Sequence, residues 1–600
     1  MSADLAIVLR QGDLPGTADS YGRLIANRGL YSALVRHGGY DTVHWLTGLA
    51  GLDDSRLIDR LQQLLGLLDE PPDPERHPGR NASNSAPRFR CHPPLATDGA
   101  VQAGTLLHGS AYLAASAWQR RHAALERRYS LVGTFFGIAV AQHREAMLGA
   151  LLAPLHPWDA VICSSPTVQQ AVRGMLNNVG AYLAERTGSR HLPLPQLPVI
   201  PIGVDAPSMA RRAADHGARR ELRDQLGLDD GAVAVLWVGR LSWHDKAFPQ
   251  PMFLALEQAS WATSVPIHFL VAGWFPNPER DRSRFEEAAR LHAPSVVVHW
   301  LDGNDQGLLA RCWAAADVFL SLSDTILETF GQAPVEAMAA GLPVVLSDWD
   351  GYRSLLRDGE EGLLVPSLIA PAGGNGEWLA LLQEMRGVDQ EGYGGSVAQH
   401  VAIHVGRAAE ALAALIRSPD LRRRLGAAAQ RKARASFDWP VVVAAHQELF
   451  AALAERRGGA LDAVIEPQPI QPRQLPLPAL GNDPFADFAG YASAVLSDAT
   501  TVRCTPLQRA AGHEPFNRCR LDGLLPGLRA TPEEHRQLLA LLGSAGASSV
   551  ADLLAAFPSE RHPFLRMSLV WLAKLGLLDW LPDAQASSSQ GSPPLAKATK

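Results

Sequence analysis

The chain has 600 residues, of which 47% are hydrophobic and 19% charged, and its formal net charge at pH 7 is −6. This length exceeds what one hydrophobic core supports, so it predicts three or four domains. The negative balance gives no overall reason to expect nucleic-acid binding. The five cysteines are scattered without a Cys-x-x-Cys pair, which argues against a disulfide framework and against a zinc site.

The sequence shows no segment typical of membrane insertion or secretion. No run of 18 or more apolar residues occurs, and the first residues, Met1 to Asp4, are not the start of a basic region followed by an apolar one. We therefore predict neither a membrane-spanning helix nor a signal peptide. The expected location is the cytoplasm.

Residues 1–205 show strand patterns that alternate with helical patterns. Asp4 to Leu9 predicts a first strand, a loop that contains Gly12 follows it, and Trp158 to Ser165 predicts a later strand and turn. Alternation of this kind is typical of a doubly wound parallel sheet. We predict a Rossmann-like domain over residues 1–205, with Gly12 as its candidate ligand-binding glycine.

A second alternating set follows, and we assign residues 206–456 to a second Rossmann-like domain of an α/β protein. Its candidate strands are Ala232–Val238, Ile267–Ala272, Val296–Trp300, Val318–Leu322 and Val344–Leu346. The helix predicted over 420–436 and the helix after Trp439 close this domain.

The composition changes after residue 456. Residues 457–485 are rich in proline and predict a semi-extended linker. Thr531 to Glu534 has capping-box spacing, and further helical patterns follow it, so we predict a small helical domain over 486–583 and a disordered tail over 584–600. The ten acidic and nine basic residues between 486 and 583 do not suggest DNA binding, although the order of helices is loosely winged-helix-like.

The most informative segment places two carboxylates around a glycine turn. Val318–Leu322 predicts a buried strand and Ala333–Ala340 predicts a helix, so Glu328 and Gly331 lie on the turn between them. In a parallel sheet this turn is at the carboxyl edge, where ligands bind and where the N–H groups of the helix face anions. Glu336 follows in the helix. Taken alone, Glu336 is by default a complement to the helix dipole. For Glu328 the alternative, a cap of local backbone amides, is weaker.

Two cations lie on another loop of the same edge. Arg240 and Lys246 follow Gly239 at the end of the first strand of the second domain, and Lys246 is the only lysine before position 432. Fixed cations stabilise the negative charge that develops on a departing phosphate. For this pair taken alone, a solvated basic loop is the alternative interpretation.

Together these segments resemble a known family. Gly239-Arg240 with Lys246, the Glu-x7-Glu pattern from Glu328 to Glu336, and the run from Asp348 to Pro366 are similar to the retaining GT-B glycosyltransferases of family 4, the glycosyl transferases group 1. The resemblance spans about residues 1–456. It implies two Rossmann-like domains that face each other across a cleft, and sugar transfer with retained anomeric configuration. It also implies that neither a metal nor another cofactor is required.

The resemblance further implies a role for each site residue. Arg240 and Lys246 contact the diphosphate, Glu336 contacts the ribose, and Glu328 contacts the sugar together with the amides of Phe330 and Gly331. The implied partners are a nucleotide sugar and a glycan or lipid acceptor. Because no carboxylate pair is placed for double displacement, we expect stabilisation of the leaving group to be the main catalytic effect.

The first domain departs from the family pattern. Phe136 stands where the family often carries a histidine that faces the donor sugar, and His108 is a candidate substitute, although a lone histidine in such a turn is more often structural. The loop from Arg240 to Lys246 is also one residue longer than usual. The basic stretch Gln119–Arg128 is a candidate contact for anionic lipid, with a solvated helix face as the alternative.

We therefore predict a retaining glycosyltransferase that moves a sugar from a nucleoside-diphosphate sugar to an unidentified acceptor, with peripheral membrane contact as an option. Two alternatives stay open. One is a catalytically degenerate scaffold that binds nucleotide sugar, which Phe136 favours. The other is a nucleotide-sugar epimerase on the same two-domain architecture.

Overall fold

The computed structural model describes residues 4–10, 22–47, 54–67, 87–139, 141–188, 194–459, 484–487, 491–506, 508 and 526–581. The chain forms two compact units, Met1–Pro478 and Ala479–Lys600. Each unit is described by itself below. The predicted disordered tail over 584–600, most of the predicted linker and the predicted site residue Gly12 lie outside the described residues.

The first domain is built on a six-stranded parallel sheet with the order β3-β2-β1-β4-β5-β6. Its strands are β1 Asp4–Leu9, β2 Thr42–Thr47, β3 Arg88–His92, β4 Thr105–His108, β5 Ser130–Phe135 and β6 Ala160–Cys163. Its helices are α1 Gly22–His37, α2 Asp54–Leu64, α3 Asp98–Ala103, α4 Ala114–His122, α5 Ala141–Leu152 and α6 Pro166–Thr187. The strands β4, β5 and β6 are buried along their whole length, as expected for a sheet that helices cover on both faces.

The second domain repeats this architecture. Its six-stranded parallel sheet has the order β12-β11-β10-β7-β8-β9. The strands are β7 Val233–Arg240, β8 Ile267–Trp274, β9 Val297–Asp302, β10 Val318–Ser321, β11 Val344–Ser347 and β12 Leu363–Val365. The helices up to α12 are α7 Ala206–Ala213, α8 His216–Leu226, α9 Pro249–Thr263, α10 Pro278–His292, α11 Gln306–Ala315 and α12 Gln332–Ala339. The two sheets confirm the predicted fold class of two Rossmann-like domains.

An additional lobe, residues 367–403, is inserted between β12 and the helices that complete the second domain. It consists of β13 Ser367–Ile369, α13 Asn375–Glu384, α14 Gln390–Ala398 and β14 Val401–Ile403. The strands β13 and β14 pair antiparallel, and the His404 amide donates to the Pro366 carbonyl oxygen at 2.9 Å, which closes the base of the lobe. The chain then continues into α15 Val405–Arg417 and α16 Pro419–Ser436.

The helix α17, Trp439–Gly459, returns to the first domain. Its buried residues Val442, Val443 and Leu453 belong to the same hydrophobic core as β1 and β2. The sequence analysis assigned residues up to 456 to the second domain, whereas the packing of α17 is on the first. An apolar helix pattern shows that a face is buried, but it does not show against which neighbour.

The second unit combines helices with a small antiparallel sheet. Its strands, in the order β16-β15-β17, are β15 Thr501–Cys504, β16 Ser548–Ser549 and β17 Leu578–Leu581. Its helices are α18 Pro484–Asp487, α19 Pro532–Ala545, α20 Val550–Leu554 and α21 His562–Lys574. The capping box predicted at Thr531 and Glu534 is present. The sequence analysis predicted only the helices, because strands of two to four residues carry almost no periodic signal.

Two features are absent from the described ranges. No helix there is both long enough and apolar enough to cross a bilayer. Nor do three or more His, Cys, Asp or Glu side chains in those ranges form a group that would hold a metal ion.

Candidate active site

The turn between β10 and α12 requires the glycine that the sequence places there. Gly331 has φ 96°, and a Cβ at this position would lie 2.3 Å from the ring of Tyr352. Phe330 is 2% exposed, and its ring packs edge-on against Phe437 with centroids 5.9 Å apart. Because the Phe330 side chain belongs to the core, only its backbone is available to a ligand.

Lys246 and Glu328, predicted from separate loops, are in direct contact. Lys246 Nζ lies 2.8 Å from Glu328 Oε2, and the side chains are 31% and 12% exposed. Burial alone would raise the pKa of Glu328. The Lys246 ammonium and the backbone amides of Thr329 and Phe330 outweigh that effect and hold the pKa below its ordinary value. Glu328 is therefore a carboxylate at neutral pH, and its cation is still partly open to a ligand.

Arg240 lies at the end of β7 on the same loop as Lys246. Its Nη1 is 3.1 Å from Asp245 Oδ2, and the two side chains are about one-fifth exposed, at 21% and 22%. The backbone beneath it is closely packed: a Cβ on Gly273 of β8 would lie only 2.3 Å from the Gly239 carbonyl oxygen. The adjacent ends of β7 and β8 therefore depend on glycine for their close approach.

Glu336 has no ion-pair partner among the described residues. It lies in the second turn of α12, beyond the first turn in which a carboxylate complements the helix dipole most strongly. Burial raises its pKa to about 7, although Arg212 acts in the opposite direction. Its side chain forms no hydrogen bond or ion pair with any described residue. This is the arrangement expected of a group that accepts hydrogen bonds from a ligand.

The first domain contacts the residue that follows Glu328. The Thr329 hydroxyl donates to the Phe136 carbonyl oxygen at 3.3 Å, and the Ser164 hydroxyl donates to the Thr329 carbonyl oxygen at 3.1 Å. The Thr167 hydroxyl donates to the Asp350 carbonyl oxygen, also at 3.1 Å. The backbone of Phe136 therefore holds the turn that contains Glu328 and Gly331, a role that the comparison of side chains in the sequence did not predict.

His108, the candidate substitute for the missing histidine, is a buried neutral ring. It ends β4, is 2% exposed, and neither ring nitrogen has a hydrogen-bond partner among the described residues. Burial, together with Arg10, lowers its pKa to about 3. A ring with this pKa is a weak proton acceptor at neutral pH, and no described contact joins it to Glu328 or Lys246. The catalytic role of His108 stays a prediction.

A cleft of about 460 Å³ opens between the two domains beside Glu328. The sequence analysis gave no individual role to Asp350, which lines the cleft with φ 45°. Burial and the nearby Glu328 carboxylate raise the pKa of Asp350 well above its ordinary value. In the sequence, only the family-like run from Asp348 to Pro366 pointed to Asp350. The cleft itself could not be predicted, because residues of both domains form it.

The lobe packs against the loop that carries the cations. A Cβ on Gly395 of α14 would lie 2.9 Å from the ring of Trp243, and Glu391 is 3.6 Å from His244 Nδ1. Tyr393 and Ile369 of the lobe also line the cleft. The lobe therefore connects the loop that carries Arg240 and Lys246 to the cleft wall.

Comparison with known proteins identifies the segment that carries this site. Residues 218–370 match the family model described as glycosyl transferases group 1. This segment is similar to the glycosyl transferases group 1. It contains Arg240, Lys246, Glu328 and Glu336, and the match ends at the start of the lobe, so most of the lobe lies beyond it.

Curated relatives match the same part of the chain. A phosphatidyl-myo-inositol mannosyltransferase of Mycobacterium leprae is 34% identical over 171 residues, which cover 28% of this chain and 36% of the relative. A D-inositol 3-phosphate glycosyltransferase of Rhodococcus erythropolis is 33% identical over 165 residues, which cover 27% of this chain and 37% of the relative. The matches span little more than a third of these relatives.

Among solved structures, that of Anabaena Alr3699/HepE in complex with UDP is 16% identical. The alignment covers 75% of this chain and all of the other, with a TM-score of 0.45.

Proposed function

We propose that this protein is a retaining glycosyltransferase that uses a nucleoside-diphosphate sugar and requires no metal. The observation that carries the proposal is the contact of 2.8 Å between Lys246 and Glu328 at the carboxyl edge of the second sheet. It joins a cation suited to a diphosphate and a carboxylate suited to sugar hydroxyls within the matched domain. Retention rests on the family resemblance.

Each site residue has a physical task in this proposal. The departing diphosphate gains negative charge as the glycosidic bond breaks, and Arg240 and Lys246 stabilise that charge where it develops. The N-terminus of α12 adds partial positive charge at the same edge. Glu328 and the Gly331 amide orient the sugar, and the unpaired carboxylate of Glu336 accepts hydrogen bonds from the ribose.

The acceptor in this proposal is a glycan, a lipid-linked glycan or a small molecule. The two named relatives are a phosphatidyl-myo-inositol mannosyltransferase and a D-inositol 3-phosphate glycosyltransferase, which supports a hydroxyl-rich acceptor. Peripheral membrane contact through the stretch Gln119–Arg128 is the weaker part of the proposal. Arg120 is fully buried, so it does not belong to the basic face on which that contact depends.

A thermal-shift screen of UDP-, GDP- and ADP-sugars tests the donor site. A ligand at about 100 times its dissociation constant adds about 2.7 kcal/mol to the free energy of unfolding. We expect the sugars of one nucleotide class to raise the stability of the wild type. The same sugars should not stabilise Glu336→Ala. Wild-type stability that no nucleotide sugar changes would refute the donor assignment.

A catalytically degenerate scaffold is the second candidate, and Phe136 favours it because its side chain supplies no polar group to the donor site. Donor binding without hydrolysis, and without transfer to a broad acceptor panel, would support the scaffold. Incubation with donor alone also separates the epimerase alternative, because an epimerase changes the stereochemistry of the donor sugar without an acceptor.

A further inference from the structure

The two walls of the cleft differ in charge. The first domain contributes Ile138, Ala139, Arg144, Thr167, Ala171 and Met175, of which only Arg144 is charged. The second domain contributes the carboxylates of Glu328, Asp348 and Asp350. Its one cation, Arg353, is 2.8 Å from Asp348 and is thereby neutralised. The first-domain wall therefore carries one cation and no carboxyl group. The second-domain wall carries three carboxyl groups, of which Glu328 is paired with Lys246, Asp348 is paired with Arg353, and Asp350 has a raised pKa.

Arg144 is the cation of the first-domain wall, and no described carboxylate pairs with it. Its Nη2 donates to the side-chain oxygen of Gln383, which is neutral, and its guanidinium lies 5.5 Å from the centroid of the Tyr393 ring. Its Nε is buried and has no hydrogen-bond partner among the described residues. Gln383 and Tyr393 belong to the lobe, so the lobe holds this guanidinium at the cleft without neutralising its charge.

Helix N-termini add to the positive potential of the same wall. Thr167 lies in the first turn of the 22-residue helix α6, and Arg144 lies in the first turn of the 12-residue helix α5. The free N–H groups and the dipole of a helix N-terminus favour an anion. An arginine beside such termini is the group best suited to bind a phosphate or a carboxylate through two parallel hydrogen bonds.

We propose that the cleft binds an acceptor that carries an anionic group, a phosphate or a carboxylate, at Arg144 and presents a hydroxyl to the wall formed by Glu328 and Asp350. This inference rests on the proposed glycosyltransferase function and adds the chemical class of its acceptor. Arg144 is then a specificity-determining residue. Because Gln383 and Tyr393 of the lobe hold the Arg144 guanidinium, the selectivity for the acceptor depends on the lobe.

The transfer step balances without a further reactant. A bond forms between the acceptor oxygen and the anomeric carbon, and the bond from that carbon to the diphosphate oxygen breaks. The electron pair of the broken bond stays on the diphosphate, whose charge Arg240 and Lys246 stabilise. The proton of the acceptor hydroxyl leaves with the diphosphate. Arg144 binds the acceptor and takes no part in these bond changes.

Matched acceptor pairs and an arginine control test this proposal on the full chain. The soluble pairs are glucose 6-phosphate with glucose and glycerol 3-phosphate with glycerol. The lipid pair is phosphatidylglycerol with diacylglycerol, each in phosphatidylcholine vesicles, which distinguishes a lipid headgroup from a free phosphate. The variants are Arg144→Gln, the charge-retaining Arg144→Lys, and Arg173→Gln as a control, because Arg173 lies on an exposed part of α6.

We expect transfer to the anionic member of at least one pair to exceed transfer to its neutral partner by tenfold or more. Arg144→Gln should remove this preference mainly through a higher KM for the acceptor, whereas Arg144→Lys retains part of it and Arg173→Gln leaves it unchanged. Equal use of both members, or an unchanged preference in Arg144→Gln, would overturn the proposal. Absence of donor binding in the thermal-shift screen would instead refute the underlying glycosyltransferase function.

If none of the acceptors is glycosylated, inorganic phosphate decides the question. The protein is first saturated with nucleoside diphosphate to occupy the donor site, and phosphate is then titrated against sodium chloride of equal ionic strength. A rise in Tm that Arg144→Gln loses and Arg173→Gln keeps supports the anion site. No rise in the wild type, or the same rise in both variants, overturns it.

Discussion

The two domains use the same kind of charge pair for different purposes. In the first domain, Arg120 and Asp159 are fully buried, with two contacts of 2.7 Å between guanidinium and carboxylate. In the second domain, the Lys246–Glu328 pair is 2.8 Å long but leaves the lysine 31% exposed. The first pair is buried in the protein interior. In the second pair, the partly exposed Lys246 can exchange Glu328 for a substrate group.

The surroundings of each pair explain this difference. The Asp159 carboxylate also accepts hydrogen bonds from the amides of Leu131 and His156, each at 2.8 Å, and Arg120 donates to the Tyr129 carbonyl oxygen at 2.9 Å. Such a network fixes the ends of β5 and β6. Glu328 instead faces a cleft, so part of its hydrogen-bonding capacity is left for a ligand.

The largest expected effect comes from removing one partner of the buried Arg120–Asp159 pair. Arg120→Ala leaves Asp159 as an uncompensated buried charge, which we expect to lower the free energy of unfolding by about 3–5 kcal/mol. Urea denaturation of the purified variant measures this loss. A loss below about 1 kcal/mol would mean that the pair does not hold the first domain together.

Removing one partner of the partly exposed Lys246–Glu328 pair should affect activity far more than stability. We expect Lys246→Ala to lower kcat by about 100- to 1,000-fold, because one fixed charge at the leaving group is lost. Steady-state kinetics measures the loss, and Lys432→Ala is the control, since Lys432 lies on α16 away from the cleft lining. Near-normal turnover of Lys246→Ala would contradict the role given to the pair.

Glu336 extends the comparison to a carboxyl group that forms no ion pair with a described residue. Because its pKa is raised to about 7, we expect affinity for the nucleotide to increase as the pH rises from 6 to 8 and the carboxylate forms. Glu336→Gln should lower this affinity about tenfold at pH 8, which corresponds to about 1.4 kcal/mol. Calorimetric titration across this pH range measures both effects, with Glu360→Gln as an exposed control.

The same pKa also predicts the sign of a stability change. A carboxyl group whose pKa is raised in the folded state binds its proton more tightly there than in the unfolded state. Its contribution to the free energy of unfolding is lost as the pH rises from the ordinary pKa of 4.5 to about 7. The free energy of unfolding should therefore fall over this interval in the wild type. Glu336→Gln should lack this part of the slope. An identical slope in both proteins would exclude the raised pKa.

The smallest effect is expected at the neighbour of Arg120. Arg121 pairs with Glu126 at 3.0 Å, but each side chain is 23% exposed to solvent. We expect Arg121→Ala to change the free energy of unfolding by less than about 1 kcal/mol, because exposed pairs contribute little. Measured beside Arg120→Ala, it separates the effect of burial from that of removing an arginine. A loss as large as that of Arg120→Ala would show that burial does not determine how much each ion pair contributes to stability.

The local patterns predicted the second domain well. Candidate strands at Val318–Leu322 and Val344–Leu346 agree with β10 and β11 to within one residue, because buried parallel strands are continuous apolar runs. The helix start after Gly331 was visible for a similar reason, since a glycine followed closely by proline marks a turn that enters a helix. These signals depend only on neighbours in the sequence.

Long-range packing could not be predicted in the same way. The stretch Gln119–Arg128 has the composition of a basic surface, yet Arg120 lies inside because Asp159, distant in the sequence, occupies the facing position. The lobe was likewise missed, since its strands have three residues each and its helices pack against residues that are distant in the sequence, such as Trp243 and Arg144.

By itself, the sequence determined the two Rossmann-like folds, the candidate site residues from Arg240 to Glu336, and the resemblance that joins them, because spacing along the chain specifies turns and helix starts. Only the tertiary structure decided that Lys246 touches Glu328, that Phe136 contributes its backbone, and that Arg144 faces the cleft without a carboxylate. Those contacts join residues 82 to 239 positions apart in the sequence. Their formation depends on how sheets and domains pack, which no local pattern encodes.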